Sequence, residues 1–170
     1  MICYETERLQ VRHLAPADLD DLAALCADAE AMRYMDDGSL LSRKECAKWI
    51  EVCQTKYATC GYGTSGVYDK TSGAFIGFCG VVRGPESDFD EIIYALGQPH
   101  WGKGYATEVA RAMLDYVFGL SELDAIYATI HADNTVSQKM MPKLNMTFVE
   151  DRTEDDGNIT KVYIRRRDAH

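Results

Sequence analysis

The stretch EIIYALGQPHWGKGYATEVA, residues 91–110, decides the fold. Its β-branched and aromatic opening, taken with Phe89 and Asp90, predicts a strand over 89–96. From 104 to 118 the apolar residues Ala106, Val109, Ala110, Met113, Leu114 and Val117 recur at the spacing of a helix face packed on a sheet. Between the two lies Gly97-Gln98-Pro99-His100-Trp101-Gly102-Lys103, so glycines frame a helix start at the carboxyl end of a strand. Free amides at such a start point outward, the helix dipole favours an anion, and glycine lets the backbone adopt positive φ and approach a ligand closely. A phosphate site follows from these residues, although the same glycines could simply form a tight turn.

Outward from this stretch, the alternation in residues 7–14 predicts a strand. Pro16 then opens a helix with Leu19, Leu22, Ala23 and Cys26 on one face. A second helix covers about 42–56, with Ser42 as N-cap and Glu45 three residues on. Segments 64–69 and 74–83, joined by Asp69-Lys70-Thr71-Ser72-Gly73, form a hairpin. After the 104–118 helix come a strand at 125–131, a helix from about 135, a short strand near 146–150 and a last strand at 160–166. This order predicts a mixed α/β sheet with one parallel crossover.

A chain of 170 residues, 46% apolar and 26% charged, suits one globular domain over residues 1–170. Charges within the first eight residues and the absence of a long apolar run argue against export and membrane insertion and for a cytoplasmic protein. The six cysteines show no CxxC pair and no metal-site spacing, so reduced, mostly buried thiols and no bound metal are expected. A net charge of −9 argues against nucleic acid as a direct partner, since only Arg165-Arg166-Arg167 resembles a basic patch. The acidic balance suits a cationic small molecule or basic peptide, and equally suits mere solubility.

Three ligand families use a glycine-framed helix start. The dinucleotide pattern GxGxxG lacks its third glycine in Gly102-Lys103-Gly104-Tyr105-Ala106-Thr107. The Walker A pattern fits from Gly97 to Lys103 but finds Gly104 where a magnesium-binding hydroxyl belongs; Asp133 could imitate a Walker B acid, which leaves a P-loop-like nucleotide-binding protein as an alternative. The third family fits most of the chain. ETERLQVRHLAPADLDDL at 5–22, GAFIGFCGVV at 73–82, EIIYALGQPHWGKGYATEVA at 91–110 and NTVSQKMMPKLNM at 134–146 together resemble the GNAT acetyltransferases, and within them the RimJ/RimL-like group, from about residue 5 to 165.

That resemblance implies a mostly antiparallel central sheet with a splayed parallel strand pair, flanked by helices. It implies acetyl-CoA as co-substrate, with the diphosphate on the loop amides of Trp101, Gly102, Lys103, Gly104, Tyr105 and Ala106 and on the following Thr107. It also implies that pantetheine pairs with the strand around Tyr94, Ala95 and Leu96, and that an N–H near Leu96 polarises the thioester carbonyl, an oxyanion-hole role.

An amine attacks only when neutral, so the site needs a route for its proton. Glu91 matches an acidic position that serves as base in many GNAT enzymes, directly or through water; Asp88 and Asp90 are weaker candidates. Many relatives carry a tyrosine proton donor where this chain has Met141, so that role does not transfer. The RimJ/RimL-like group carries a serine three residues past the asparagine, which points to Ser137 as donor to the coenzyme thiolate and Asn134 as a partner of pantetheine. Helix capping is the plainer alternative for both. Pro142 predicts a kink or stop near 141, and Asn145 suits a left-handed helix terminus.

Asp36-Asp37, Glu150-Asp151 and Glu154-Asp155-Asp156 could attract a cation or simply be solvated loops. His13, His100, His131 and His170 show no metal spacing and are expected to be structural or exposed. The resemblance leads to direct acetyl transfer to a primary amine, on a protein N-terminus or a small molecule, with a non-catalytic acyl-CoA sensor as a further alternative and a homodimer left open.

Overall fold

The computed structural model describes residues 1–84 and 87–168. His170, expected to be structural or exposed, lies outside the described residues. The strands are β1 (Ile2–Glu5), β2 (Leu9–His13), β3 (Ser65–Asp69), β4 (Phe75–Val82), β5 (Glu91–Leu96), β6 (Ala125–His131), β7 (Thr147–Thr153) and β8 (Ile159–Arg166). The helices are α1 (Leu19–Cys26), α2 (Arg43–Cys60), α3 (Tyr105–Leu120) and α4 (Thr135–Met140). One sheet runs β1-β2-β3-β4-β5-β6-β8-β7. Every neighbouring pair is antiparallel except β5 and β6, which the α3 crossover makes parallel.

Alternation along the strands divides the core between the two faces. Against α3 lie Leu9, Val11, Val67, Ile92 and Leu96, with Val109, Met113, Leu114 and Val117 filling the helix stripe. Each of these side chains contributes about 1.5–3 kcal/mol by leaving water. On the opposite face Leu22, Leu25 and Cys26 of α1 and Ile50 and Cys53 of α2 pack on Phe78 and Ala95.

Local chemistry sets the element ends. Pro16 opens a single 3-10 turn, Pro16–Asp18, before α1 begins. Ser42 and Glu45 form the expected capping box, and α2 runs four residues past 56, to Cys60, until Gly61 stops it at φ 82°. In the β3–β4 turn the Asp69 carboxylate accepts from the Thr71 and Ser72 amides, and Gly73 takes φ 76°. α4 gives way at Met141 to a 3-10 turn containing Pro142, and Asn145 ends it at φ 56°. Strand β7 extends to Thr153 because β8 supplies a pairing partner along its length. β1 was not expected; it is a four-residue edge strand held by β2.

The Arg165-Arg166-Arg167 run is partly absorbed by the fold. Arg165 pairs with Asp115 at 2.7 Å, and Arg167 donates to the carbonyls of Phe118, Ser121 and Leu123, satisfying the end of α3.

Candidate active site

β5 and β6 pair at one position, Glu91 opposite Tyr127, where the Tyr127 N–H donates to Asp90 O at 2.8 Å. Beyond it the strands part. Main-chain direction alternates along a strand. Asp90 O points to β6 and the Gly97 N–H points to Ile76 O of β4, at 2.9 Å. The amides of Tyr94 and Leu96 therefore face the gap. The main chain of Ala95 faces β4, opposite Phe78, so of the three residues expected along pantetheine only Tyr94 and Leu96 offer their amides there. The Leu96 carbonyl is occupied by the Trp101 indole N–H at 2.8 Å, which folds the exposed Trp101 ring back over the loop.

At the carboxyl end of β5, Gly97 starts a 3-10 turn, Gln98–His100, and after four intervening residues α3 begins at Tyr105. Gly102 and Gly104 both take positive φ, 73° and 80°. Gly104 is the N-cap of α3 and offers no side-chain cap. The first amide bonded within the helix is that of Glu108, to Gly104 O at 3.1 Å. Those of Tyr105, Ala106 and Thr107 precede it and have no intrahelical partner. A bare helix start beside an open strand edge fits a diphosphate joined to an extended amide chain. Lys103 is exposed, and its carbonyl accepts from Arg8.

That contact belongs to a latch between distant parts of the chain. Arg8 donates to Lys103 O at 2.8 Å, pairs with Glu108 at 2.6 Å and stacks over the Tyr105 ring at 4.3 Å. Thr6 and the Arg8 amide also donate to Glu108. Burial raises the Glu108 pKa, but the Thr6 and Arg8 hydrogen bonds outweigh it and hold the carboxyl below its ordinary value. The β1–β2 turn thus grips the first turn of α3. Neither Arg8 nor Glu108 was assigned a role from sequence, though both fall in the quoted blocks ETERL and YATE.

Glu91 stands where β5 leaves β6, on the α1–α2 face, half-buried, accepting from the Thr129 hydroxyl at 2.5 Å. Burial raises its pKa above the ordinary carboxylate value; the Thr129 bond and the charge of Arg152 pull it down, and Asp36 pushes it up. Asp36 holds a left-handed backbone at φ 51° in the α1–α2 connection, which also places the Tyr34 ring 5.3 Å from His131. Asp90 is buried and paired with Arg83 at 2.6 Å, so its carboxylate is engaged elsewhere, while Asp88 is exposed. A cavity of about 520 Å³ beside them is lined by Asp88, Asp90, Asp124, Tyr127, Glu150 and Arg152 among others.

On the other face, Asn134 caps α4 by accepting from the Ser137 amide at 3.3 Å, and its side-chain NH2 donates to Ser137 Oγ at 3.1 Å. Ser137 is buried, and the Tyr94 hydroxyl lies 2.9 Å from its Oγ. Tyr94 was expected to contribute main chain only; its phenol was missed. Met141 is fully buried in the core. His13 stacks on Tyr57 at 3.7 Å, His100 is half-buried, and His131 Nδ1 accepts from the Asp133 amide. Among the described residues no cluster of three or more His, Cys, Asp or Glu could hold a metal, and all six cysteines are unpaired. No helix among them is long and apolar enough to cross a membrane.

Comparison with known proteins gives this geometry its family. The family model described as Acetyltransferase (GNAT) domain matches residues 8–147, and the chain belongs to that family, whose members are acetyl-CoA-dependent acyltransferases. The chain is 28% identical over 163 residues to an uncharacterized N-acetyltransferase, p20, of Bacillus licheniformis, covering 94% of this chain and 92% of the relative. The fold is similar to that of the ribosomal-protein-S5-alanine acetyltransferase from Vibrio fischeri (TM-score 0.83, 16% identity, 99% of this chain and 97% of that one). It is also similar to the spermidine N-acetyltransferase from Vibrio cholerae solved with CoA and spermine (TM-score 0.77, 19% identity, 93% and 95%). The expected fold class, a mostly antiparallel sheet with one parallel pair, is the one observed.

Proposed function

We propose that the chain transfers acetyl from acetyl-CoA directly to a primary amine, and that it belongs with the RimJ/RimL-like members of its family. The observation carrying this is the bare start of α3 beside the unpaired edge of β5. In this reading the amides from Gly102 to Thr107 hold the diphosphate, whereas that of Trp101, also expected there, donates to Gln98 O at 3.1 Å. Tyr94 and Leu96 offer main-chain groups to pantetheine, and the Leu96 N–H steadies the carbonyl oxygen as charge develops on it. Asn134 adds a side-chain contact to pantetheine.

Glu91 accepts the proton of the attacking amine, directly or through water. Burial suits it to this task, because a carboxylate with a raised pKa is a stronger base. Ser137, across the sheet, donates a hydrogen bond to the departing thiolate. The acceptor is a cation: Asp36 lies toward Glu91, and Tyr34 supplies an aromatic surface beside His131. The two structural relatives act, by name, on a ribosomal-protein alanine and on spermidine. These are the two acceptor classes to test, a protein N-terminus and a polyamine.

A crystal soaked with acetyl-CoA tests the coenzyme half: diphosphate density at Gly102–Ala106 is expected, and a loop filled by protein side chains overturns it. A thiol-release screen across peptides, polyamines and aminoglycosides tests the acceptor half. Turnover with a cationic amine is expected, and turnover confined to uncharged acceptors overturns the assignment to a cation.

A further inference from the structure

Ser137 lies in α4 ahead of Met141, which stands where the family's more usual tyrosine donor would be, and its surroundings show how a serine can serve. Its Oγ is within hydrogen-bond distance of two side-chain donors, Asn134 Nδ2 at 3.1 Å and the Tyr94 hydroxyl at 2.9 Å. The Asn134 contact has a fixed direction, because an amide NH2 can only donate. In the Tyr94 contact the phenol is much the stronger acid, so it donates and the aliphatic hydroxyl accepts. Both lone pairs of the serine oxygen are then used. Its single proton has no acceptor among the described residues, because the Asn134 NH2 cannot accept and the Tyr94 phenol is already donating in its contact.

We propose that Tyr94 is a positioning residue for the leaving group: with Asn134 it occupies the acceptor side of Ser137, leaving the serine proton to point at the sulfur that arrives between β5 and β6. This rests on the role of Ser137 given above and extends it to a residue whose side chain that role does not include. When the thioester C–S bond breaks, its electron pair stays on sulfur, and the amine's proton goes to Glu91. No proton need pass along Tyr94–Ser137–S, since the chain acts by hydrogen bonding alone, each donation strengthening the next. Burial favours this by pushing the Tyr94 phenol up to about 12, with the Cys79 thiol adding to the rise, so that Tyr94 remains a neutral donor at working pH. Cys79, wholly buried, is itself held protonated by burial. Met141 can then remain a core residue without loss of the leaving-group interaction.

The test reads the thiol of bound coenzyme A, by thiolate absorbance against pH, in the wild type, Tyr94→Phe, Ser137→Ala and the double variant. Affinity for desulfo-coenzyme A serves as the control for folding and pantetheine binding. Tyr94→Phe keeps the ring and removes one oxygen. The expected result is that each single variant lowers the thiolate fraction at fixed pH by about tenfold, that the double variant falls no further than Ser137→Ala, and that desulfo-coenzyme A binds all four alike. If Ser137→Ala lowers the fraction and Tyr94→Phe does not, or if the two effects multiply, the positioning role of Tyr94 is overturned while Ser137 keeps its part. A wild-type titration in Ser137→Ala overturns both.

Discussion

Two helices begin at the same end of the parallel pair, and they begin in opposite ways. α3 starts at Gly104 with a left-handed backbone and no side-chain cap, so its first amides are left bare. α4 starts at Asn134, whose side chain accepts from the Ser137 amide. The two starts flank the gap between β5 and β6. The difference teaches that a helix start can serve either as an anion site or as a mount for side chains, according to what occupies its N-cap. Glycine leaves the dipole and amides to a ligand; asparagine spends one of them internally and thereby fixes Ser137.

Breaking the α3 side should have the largest effect. Gly104→Val forces a β-branched residue to φ 80° and sets a Cβ about 3.4 Å from the Arg8 guanidinium. Acetyl-CoA affinity should fall by more than about a hundredfold, the worth of one or two hydrogen bonds to a charged group, while circular dichroism still shows a folded protein. Calorimetry reads the affinity, and near-native binding would mean that the bare amides do not hold the diphosphate.

Glu91 belongs to neither helix start, so its replacement should separate chemistry from coenzyme binding. Glu91→Gln should lower kcat about a hundredfold and flatten the acid side of the pH profile, with acetyl-CoA affinity kept. The sign for stability follows from the raised pKa: the native state holds the Glu91 proton more tightly than the unfolded chain, so the carboxylate destabilises the fold increasingly as pH rises from the unfolded value through the folded one. Near neutrality the variant should therefore melt above the wild type. An unchanged rate and pH profile would remove Glu91 from the mechanism.

On the α4 side, Asn134→Ala should cost about 1 kcal/mol of cap stability, lowering Tm by about 2–4 °C for a chain of this size. Thiol release should slow as Ser137 loses one of its two donors. A slower rate with unchanged Tm would assign Asn134 to the ligand rather than to the cap. The smallest effect is expected at the latch. Glu108→Gln removes the partner of Arg8, a half-exposed pair of modest worth, and should raise the KM for acetyl-CoA a few-fold with kcat kept. Because the Glu108 pKa is depressed, its contribution is present above the unfolded value and lost as pH falls through the folded one. The KM difference between variant and wild type should accordingly shrink in acid.

How much of this was legible in the sequence depends on the distance over which each feature is written. The β5-loop-α3 unit occupies twenty consecutive residues, and its period, glycines and strand chemistry appear in one reading frame. The stop at Pro142 and the left-handed Asn145 are likewise local. β1 escaped because four residues carry too little alternation and its pairing comes from β2. The latch was hidden because Arg8 and Glu108 lie a hundred positions apart. The Tyr94 phenol was hidden for a similar reason: its partner is 43 residues away and becomes a neighbour only once α4 is docked against β5. Thr129 could have been found, since it shares a face of β6 with Tyr127, the residue opposite Glu91.

Trp101 gives the loop a built-in optical reporter. The chain has two tryptophans. Trp49, partly buried, packs edge-on against Phe78, whereas Trp101 is 48% exposed and tethered by its indole N–H to the last residue of β5. Emission from an indole follows the polarity and mobility of its surroundings, so a ligand settling on the neighbouring glycines will change the signal of Trp101 and leave that of Trp49 as an internal reference. Occupancy of the loop can thus be followed in solution, without a label and without turnover.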